Sequence, residues 1–120
     1  MTNSSEIGKT GEDKAEEFLK KIGYKILERN FRTRFGEIDI VAKEKNTYIF
    51  VEVKTRKDKD GFGVPQLAVN KYKQQHLTLA ALTYIKKESL RSDYRFDIIA
   101  ICKDRIEHIK NAFSPEGYTV

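Results

Sequence analysis

A single cysteine, Cys102, leaves no partner for an internal disulfide and too few thiolates for a cysteine-only zinc site. That argues against redox chemistry and fits a reducing compartment; Cys102 itself reads as a core residue. Proline is nearly as scarce, with two in the chain, and a composition of 39% hydrophobic and 34% charged residues is that of a folded protein, not a disordered one. No apolar run approaches the roughly 20 residues that cross a bilayer. The polar residues 1–9 also lack the apolar core of a signal peptide, so no membrane partner is expected and the expected compartment is the cytoplasm. Internal repeats and low-complexity segments are absent.

What is present is enough for one domain. At 120 residues the chain can bury a real core but is too short for two, so residues 1–120 are expected to form a single unit with flexible ends at 1–9 and 113–120. The formal net charge of +5 and pI of about 9.3 favour a polyanionic partner such as nucleic acid. Eighteen acidic residues remain, so the positive charge must be unevenly placed if it is to grip a phosphate backbone.

Thr10 and Asp13 have the spacing of a capping box, and Ala15, Phe18, Leu19 and Ile22 recur at helical spacing up to Gly23, which predicts a helix over residues 11–22. Residues 24–30 read as a first strand, followed by a basic stretch over 31–35 and a turn at Gly36. Residues 37–43 and 47–55 are rich in β-branched and aromatic side chains around a polar Glu44, Lys45 and Asn46, which predicts a hairpin. The charged, glycine-containing residues 56–64 read as a mobile loop ending at Pro65, a good first helical residue. A long helix to about Lys87 follows, with an apolar stripe of Leu77, Ala80, Ala81, Tyr84 and Ile85. Residues 95–102 and 105–111 form a second strand pair around Lys103 and Asp104, and no pattern marks the tail. This order predicts a mixed α/β sheet with a helix on each side.

Alternation places Phe50, Glu52 and Lys54 on one face of their strand and Val51 and Val53 on the other. If the chain reverses symmetrically about Lys45 and Asn46, Asp39 lies opposite Glu52 and Glu37 opposite Lys54. Directly opposed like charges destabilise a strand pair, and a carboxylate that leaves water costs more still, so the Asp39 and Glu52 pair calls for a reason. A divalent cation supplies one. Mg²⁺ prefers one or two carboxylates with waters and phosphate oxygens, and the Val53 carbonyl adds an oxygen donor. Such an ion activates water and neutralises charge at phosphorus, while Lys54 would position the water or stabilise the transition state. The alternative is a solvated face of cross-strand ion pairs. Tyr48, Phe50 and Val41 share that face, and charges set among aromatics favour a site.

Asp39, twelve intervening residues and then Glu52, Val53 and Lys54 resemble the PD-(D/E)xK motif of the restriction-endonuclease-like nucleases. Around it stand Gly11, Glu12 and Ala15, then Asn30 and Arg32 before Gly36 to Asp39, the run from Phe50 to Arg56, and later Arg95, Phe96, Asp97, Asn111, Ala112 and Phe113. This combination covers nearly the whole chain and is similar to the YraN family of small bacterial proteins. The resemblance implies a restriction-endonuclease-like fold, a central mixed sheet of about five strands flanked by helices, with Asp39 and Glu52 as metal ligands and Lys54 as the catalytic lysine. It also implies that Glu12 matches a helix carboxylate that resolvase-like nucleases add to the site. The motif's leading proline is replaced by Ile38, and many members lack it too.

Several residues are weighed beside this core. Glu12 falls in a first helical turn, where the macrodipole favours any acid, and Glu37 reads as a neighbour of Lys54 that would orient it. Arg29, Arg32 and Arg34 on one side and Arg56, Lys57 and Lys59 on the other bracket the carboxylates, with Phe31, Phe35 and Phe62 interleaved, a mixture suited to phosphate contact and base stacking. Lys71, Lys73, Gln74 and His76 open the long helix where resolvase-like relatives place substrate-binding residues; Lys71 is the first choice and Gln66, near the free amides at Pro65, the next. His76, His108 and Asp97 read as structural. The expectation is therefore a nuclease using Mg²⁺ or Mn²⁺ on nucleic acid, DNA before RNA, with a homodimer as the arrangement that would cut two strands. The alternative is a non-catalytic nucleic-acid-binding module of the same fold, whose affinity would fall steeply with salt.

Overall fold

The computed structural model describes residues 10–56, 70–89 and 91–114. Helix α1 spans Gly11–Lys21, followed by strands β1 (Lys25–Thr33), β2 (Gly36–Glu44) and β3 (Thr47–Arg56), helix α2 (Lys71–Lys87), and strands β4 (Asp93–Cys102) and β5 (Arg105–Phe113). The five strands form one sheet in chain order. All neighbours are antiparallel except β3 and β4, which run parallel because α2 carries the chain back across the sheet. The expected mixed sheet with two flanking helices is the architecture found.

Each local expectation has a visible cause. Thr10 and Asp13 form the reciprocal cap: the Asp13 amide donates to Thr10 Oγ1 at 3.2 Å and the Thr10 amide to Asp13 Oδ2 at 3.1 Å. Asn70 caps α2 by accepting from the Lys73 amide at 2.8 Å. The central hairpin has the symmetric register, from Glu44 opposite Thr47 to Ile40 opposite Val51. Several boundaries differ from the sequence reading, three of them instructively. Strand β1 runs on to Thr33, because Phe31 turns inward to pack and only Arg34 and Phe35 are left to the turn. Gly36 opens β2, with φ of 149°, and a Cβ there would come to 3.8 Å from the Cβ of His76 on α2. Phe113, expected in a flexible end, closes β5 and stacks on Phe96 at 4.7 Å between ring centroids. The second helix begins at Lys71 and not at Pro65 as expected, because Asn70 before it is extended and caps it; residues 1–9, 57–69, 90 and 115–120, with the expected loop, lie outside the described residues.

The sheet is the shared wall of two cores. Under α2, Leu77, Ala81 and Tyr84 pack on Phe50, Phe96 and Ile98. Under α1, Ala15 and Leu19 pack on Ile49, Val51, Ile99 and Ile101. Consecutive residues such as Ile49 and Phe50 therefore serve opposite faces, as strand alternation requires. On β2 the alternation breaks: Ile38 belongs to the α2 side and Ile40 to the α1 side, with Asp39 between them.

Candidate active site

Asp39 stands where the sheet forks. The β2/β3 ladder ends at Ile40 and Val51, whereas β2 stays paired with β1 through Gly36 and β3 stays paired with β4 through Arg56. Asn30, with φ of 53°, lies opposite Asp39 between the Arg29–Ile40 and Phe31–Ile38 pairs. Such irregularities re-aim a side chain, here away from both cores. The expected opposition of Asp39 to Glu52 is thus corrected: Asp39 Oδ2 instead accepts from the Val53 amide at 2.8 Å, bridging the fork. In an extended strand a residue's amide and carbonyl project from the same edge, so the Val53 carbonyl faces the fork as well.

Glu52 is 5% exposed and shares its Oε2 between two ammonium groups, Lys73 at 2.6 Å and Lys54 at 3.4 Å. Lys73, not the favoured Lys71, is therefore the α2 residue that enters the site; Lys71 is exposed on another face. The signal was in the stripe, because Lys73 stands four residues before the buried Leu77 and shares its face. Burial by itself lowers the Lys73 pKa, but the hydrogen bond and charge of Glu52 outweigh it and raise it. At Asp39, burial first and then repulsion from Glu52, Glu12 and Glu37 outweigh the Val53 bond and push the carboxyl from 3.8 up to about 7.

Glu12 approaches from the first turn of α1. It accepts from Asn30 Nδ2 at 3.1 Å and Arg29 Nη2 at 3.4 Å, and Arg29 also holds Asp13 at 2.8 Å and Glu16 at 3.2 Å. Gly11 lets that turn sit against β3, since a Cβ there would run into Thr55 Oγ1. Glu37, expected beside Lys54, instead accepts from Arg32 Nε at 2.7 Å, because β2 has left β3 and faces only β1. Arg34 is exposed with its guanidinium 4.9 Å above the Phe35 ring. The Arg56 side chain and Gln66 lie outside the described residues. Among those described, no three His, Cys, Asp or Glu side chains gather into a metal cage; the acidic centre is the Asp39 and Glu52 pair with the Val53 backbone.

Comparison with known proteins gives the family of the chain. The model described as "Uncharacterised protein family UPF0102" matches residues 11–101. The chain belongs to the UPF0102 family. That family is the YraN-like grouping of the sequence resemblance. A UPF0102 protein of Thermodesulfovibrio yellowstonii is 54% identical over 108 residues, covering 90% of this chain and 96% of the relative. One from Caldicellulosiruptor saccharolyticus is 47% identical, covering 92% and 99%, and one from Geobacter sulfurreducens 50% identical, covering 89% and 88%.

The span matched by UPF0102 runs from the first turn of α1 into β4 and contains Glu12, Asp39, Glu52, Lys54 and Lys73. A second polar cluster of this UPF0102 protein lies on β4 and β5. Asp97, 1% exposed, accepts from Arg95 at 2.8 and 3.0 Å and the Asn111 amide at 2.9 Å, and bonds His108 Nε2 at 2.7 Å. Burial would raise the Asp97 pKa, but the bonds from His108, Arg95 and Asn111 hold it below the usual range. The cluster's partners are all internal, so Asp97 and His108 are structural, as expected. No helix among the described residues is long and apolar enough to cross a membrane.

Proposed function

We propose that this UPF0102 protein is a metal-dependent phosphodiester hydrolase of the restriction-endonuclease-like fold, acting on nucleic acid and on DNA before RNA. The observation that carries the reading is the fork itself. Two carboxylates, a backbone carbonyl and two ammonium groups converge there, and Asp39 is crowded enough by burial and neighbouring acids to be pushed to about 7. Nothing in the hydrophobic core requires that crowding.

The donor chemistry suits Mg²⁺ or Mn²⁺: hard oxygen donors from Asp39, Glu52 and the Val53 carbonyl, within the one or two carboxylates that Mg²⁺ prefers. Each carboxylate commits one oxygen, Asp39 Oδ2 to the Val53 amide and Glu52 Oε2 to the lysines. When bound, the ion would supply Lewis-acid stabilisation of charge building on the phosphoryl oxygens. Lys54 orients the attacking water and Lys73 screens the non-bridging oxygens; the water oxygen forms the new bond to phosphorus as the bond to the sugar oxygen breaks, and the proton that the water loses is passed on to that leaving oxygen. Arg29 and Asn30 hold Glu12 at the rim, where it adds to the field at Asp39. A cytoplasmic setting and a symmetric pair of chains, which would cut both strands, belong to the same proposal.

The test is calorimetric titration of Mn²⁺ into wild type and Asp39→Asn, followed by incubation of both with branched and linear DNA. Metal-dependent cleavage by the wild type alone supports the reading, and equal cleavage by Asp39→Asn removes it. One observation favours a binding module instead: two lysines share Glu52 Oε2 and offset its charge. That reading expects salt-sensitive binding with neither metal uptake nor turnover.

A further inference from the structure

Beside the site, the β1–β2 turn and the C-terminal half of α2 enclose a groove of about 800 Å³. Four cations line it, Arg32 and Arg34 from the hairpin and Lys86 and Lys87 from the helix, and among the described residues no acidic one does. The helix macrodipole accounts for lysines in the last turn of α2. It does not account for two arginines brought against them from another element, a convergence of like charge that a polyanion would relieve.

The groove is also aromatic. The Arg34 guanidinium lies 4.9 Å above the Phe35 ring and the Lys87 ammonium 5.4 Å above Phe31, so charge and π-faces come paired. Contact with a duplex backbone needs only a charged ridge, whereas a concavity within the roughly 300–1,000 Å³ of small-molecule sites can take an unpaired nucleotide. The groove and the fork share the β1–β2 hairpin and α2. Arg32 bonds Glu37, two residues from Asp39, and Lys86 follows Lys73 by thirteen helical residues, roughly 20 Å at 1.5 Å each.

We propose that this groove binds a single-stranded stretch of nucleic acid, with Arg32, Arg34, Lys86 and Lys87 on its phosphates and a base against Phe35. The proposal rests on the nucleic-acid reading of the neighbouring fork and names the strand that leads away from it.

The experiment is fluorescence anisotropy on labelled oligonucleotides of roughly a dozen nucleotides, single-stranded and duplex, without divalent metal. Wild type, Arg34→Glu and the double variant Lys86→Glu/Lys87→Glu are compared, with circular dichroism melts verifying their folding. Wild type should prefer the single strand. The double variant should bind at least tenfold more weakly, with a log–log salt slope shallower by about 1.4, two contacts at 0.7 each. Arg34→Glu, in the exposed turn, should weaken binding several-fold. Unchanged affinity in the folded variants, or duplex binding as tight as single-strand binding, overturns the proposal. The cleavage assay on Asp39→Asn decides the hydrolase separately, so either can fail while the other stands.

Discussion

Asp39 is the residue whose chemistry differs most from its behaviour in water. Burial and the charges of Glu52, Glu12 and Glu37 raise its carboxyl to about 7, so the folded chain keeps a proton that an unfolded chain loses near 3.8. Between those values the native state binds more protons than the unfolded one, and stability therefore falls as pH rises from about 4 to about 7. The linkage is at most about 4 kcal/mol, and solvent at this half-buried group screens it to about 2. Asn retains the acceptor for the Val53 amide without the charge, so Asp39→Asn should be the more stable protein at pH 8 by about 2 kcal/mol. The two should converge at pH 4, as read by urea unfolding; equal pH profiles would refute the assignment. Under the hydrolase reading a proton on Asp39 would compete with the cation, so Mn²⁺ affinity should weaken below pH 7 in calorimetry at stepped pH. Lys73 offers a second test: under the hydrolase reading, Lys73→Ala should lower the cleavage rate on the order of a hundredfold, and Lys71→Ala hardly at all. At Asp97 the expected loss is structural, since removing the acceptor leaves Arg95 only Tyr24 and Glu44 and takes the shared partner from His108 and the Asn111 amide, and Asp97→Ala should cost about 3 kcal/mol in urea unfolding.

At the scale of elements, the site depends on how α1 and β3 meet. Thr10 fixes where α1 begins, Gly11 lets its first turn lie against Thr55, and Glu12 is thereby carried toward Asp39. Gly11→Ala should destabilise the protein by about 1–3 kcal/mol through overpacking. Adding Thr55→Ala, which removes the obstructing hydroxyl, should recover much of that loss, so a double-mutant cycle by thermal unfolding should show coupling. Additive effects would mean that the two do not touch. The fork is likewise a property of paired elements. Strand β2 follows β1 away while β3 stays with β4, and the open wedge admits carboxylates that a continuous ladder would have sealed.

For the whole molecule, one sheet with a core on each face makes the two cores interdependent. Strands β2, β3 and β4 each send residues to both, as Ile38 and Ile40, Phe50 and Ile49, and Ile98 and Ile99 show. Loss of either helix would expose one face of a sheet whose other face needs the same strands. Unfolding should accordingly be a single transition, coincident by far-UV circular dichroism and tyrosine fluorescence, and separated transitions would show that the faces are uncoupled. The net charge of +5 is unevenly distributed at this scale. Arg32, Arg34, Lys86 and Lys87 line one groove, while Glu12, Asp13 and Glu16 cluster around Arg29 on the α1 side.

What the sequence by itself determined was local and periodic. The capping box at Thr10 sets the start of α1, and the two-residue turn at Lys45 and Asn46, with strict alternation, sets the register from Glu44–Thr47 to Ile40–Val51. A one-residue slip would have turned every apolar side chain of that hairpin to the wrong face. Extending the same register to Asp39 and Glu52 failed because ladder symmetry ends where β1 and β4 compete for the two strands, a competition that no local pattern records. Tertiary structure alone decided that Asp39 meets the Val53 amide, that Glu37 turns to Arg32, and that Asp97 meets His108. Those contacts join residues from different elements, and their geometry is set by where the packed helices and the twisted sheet come to rest.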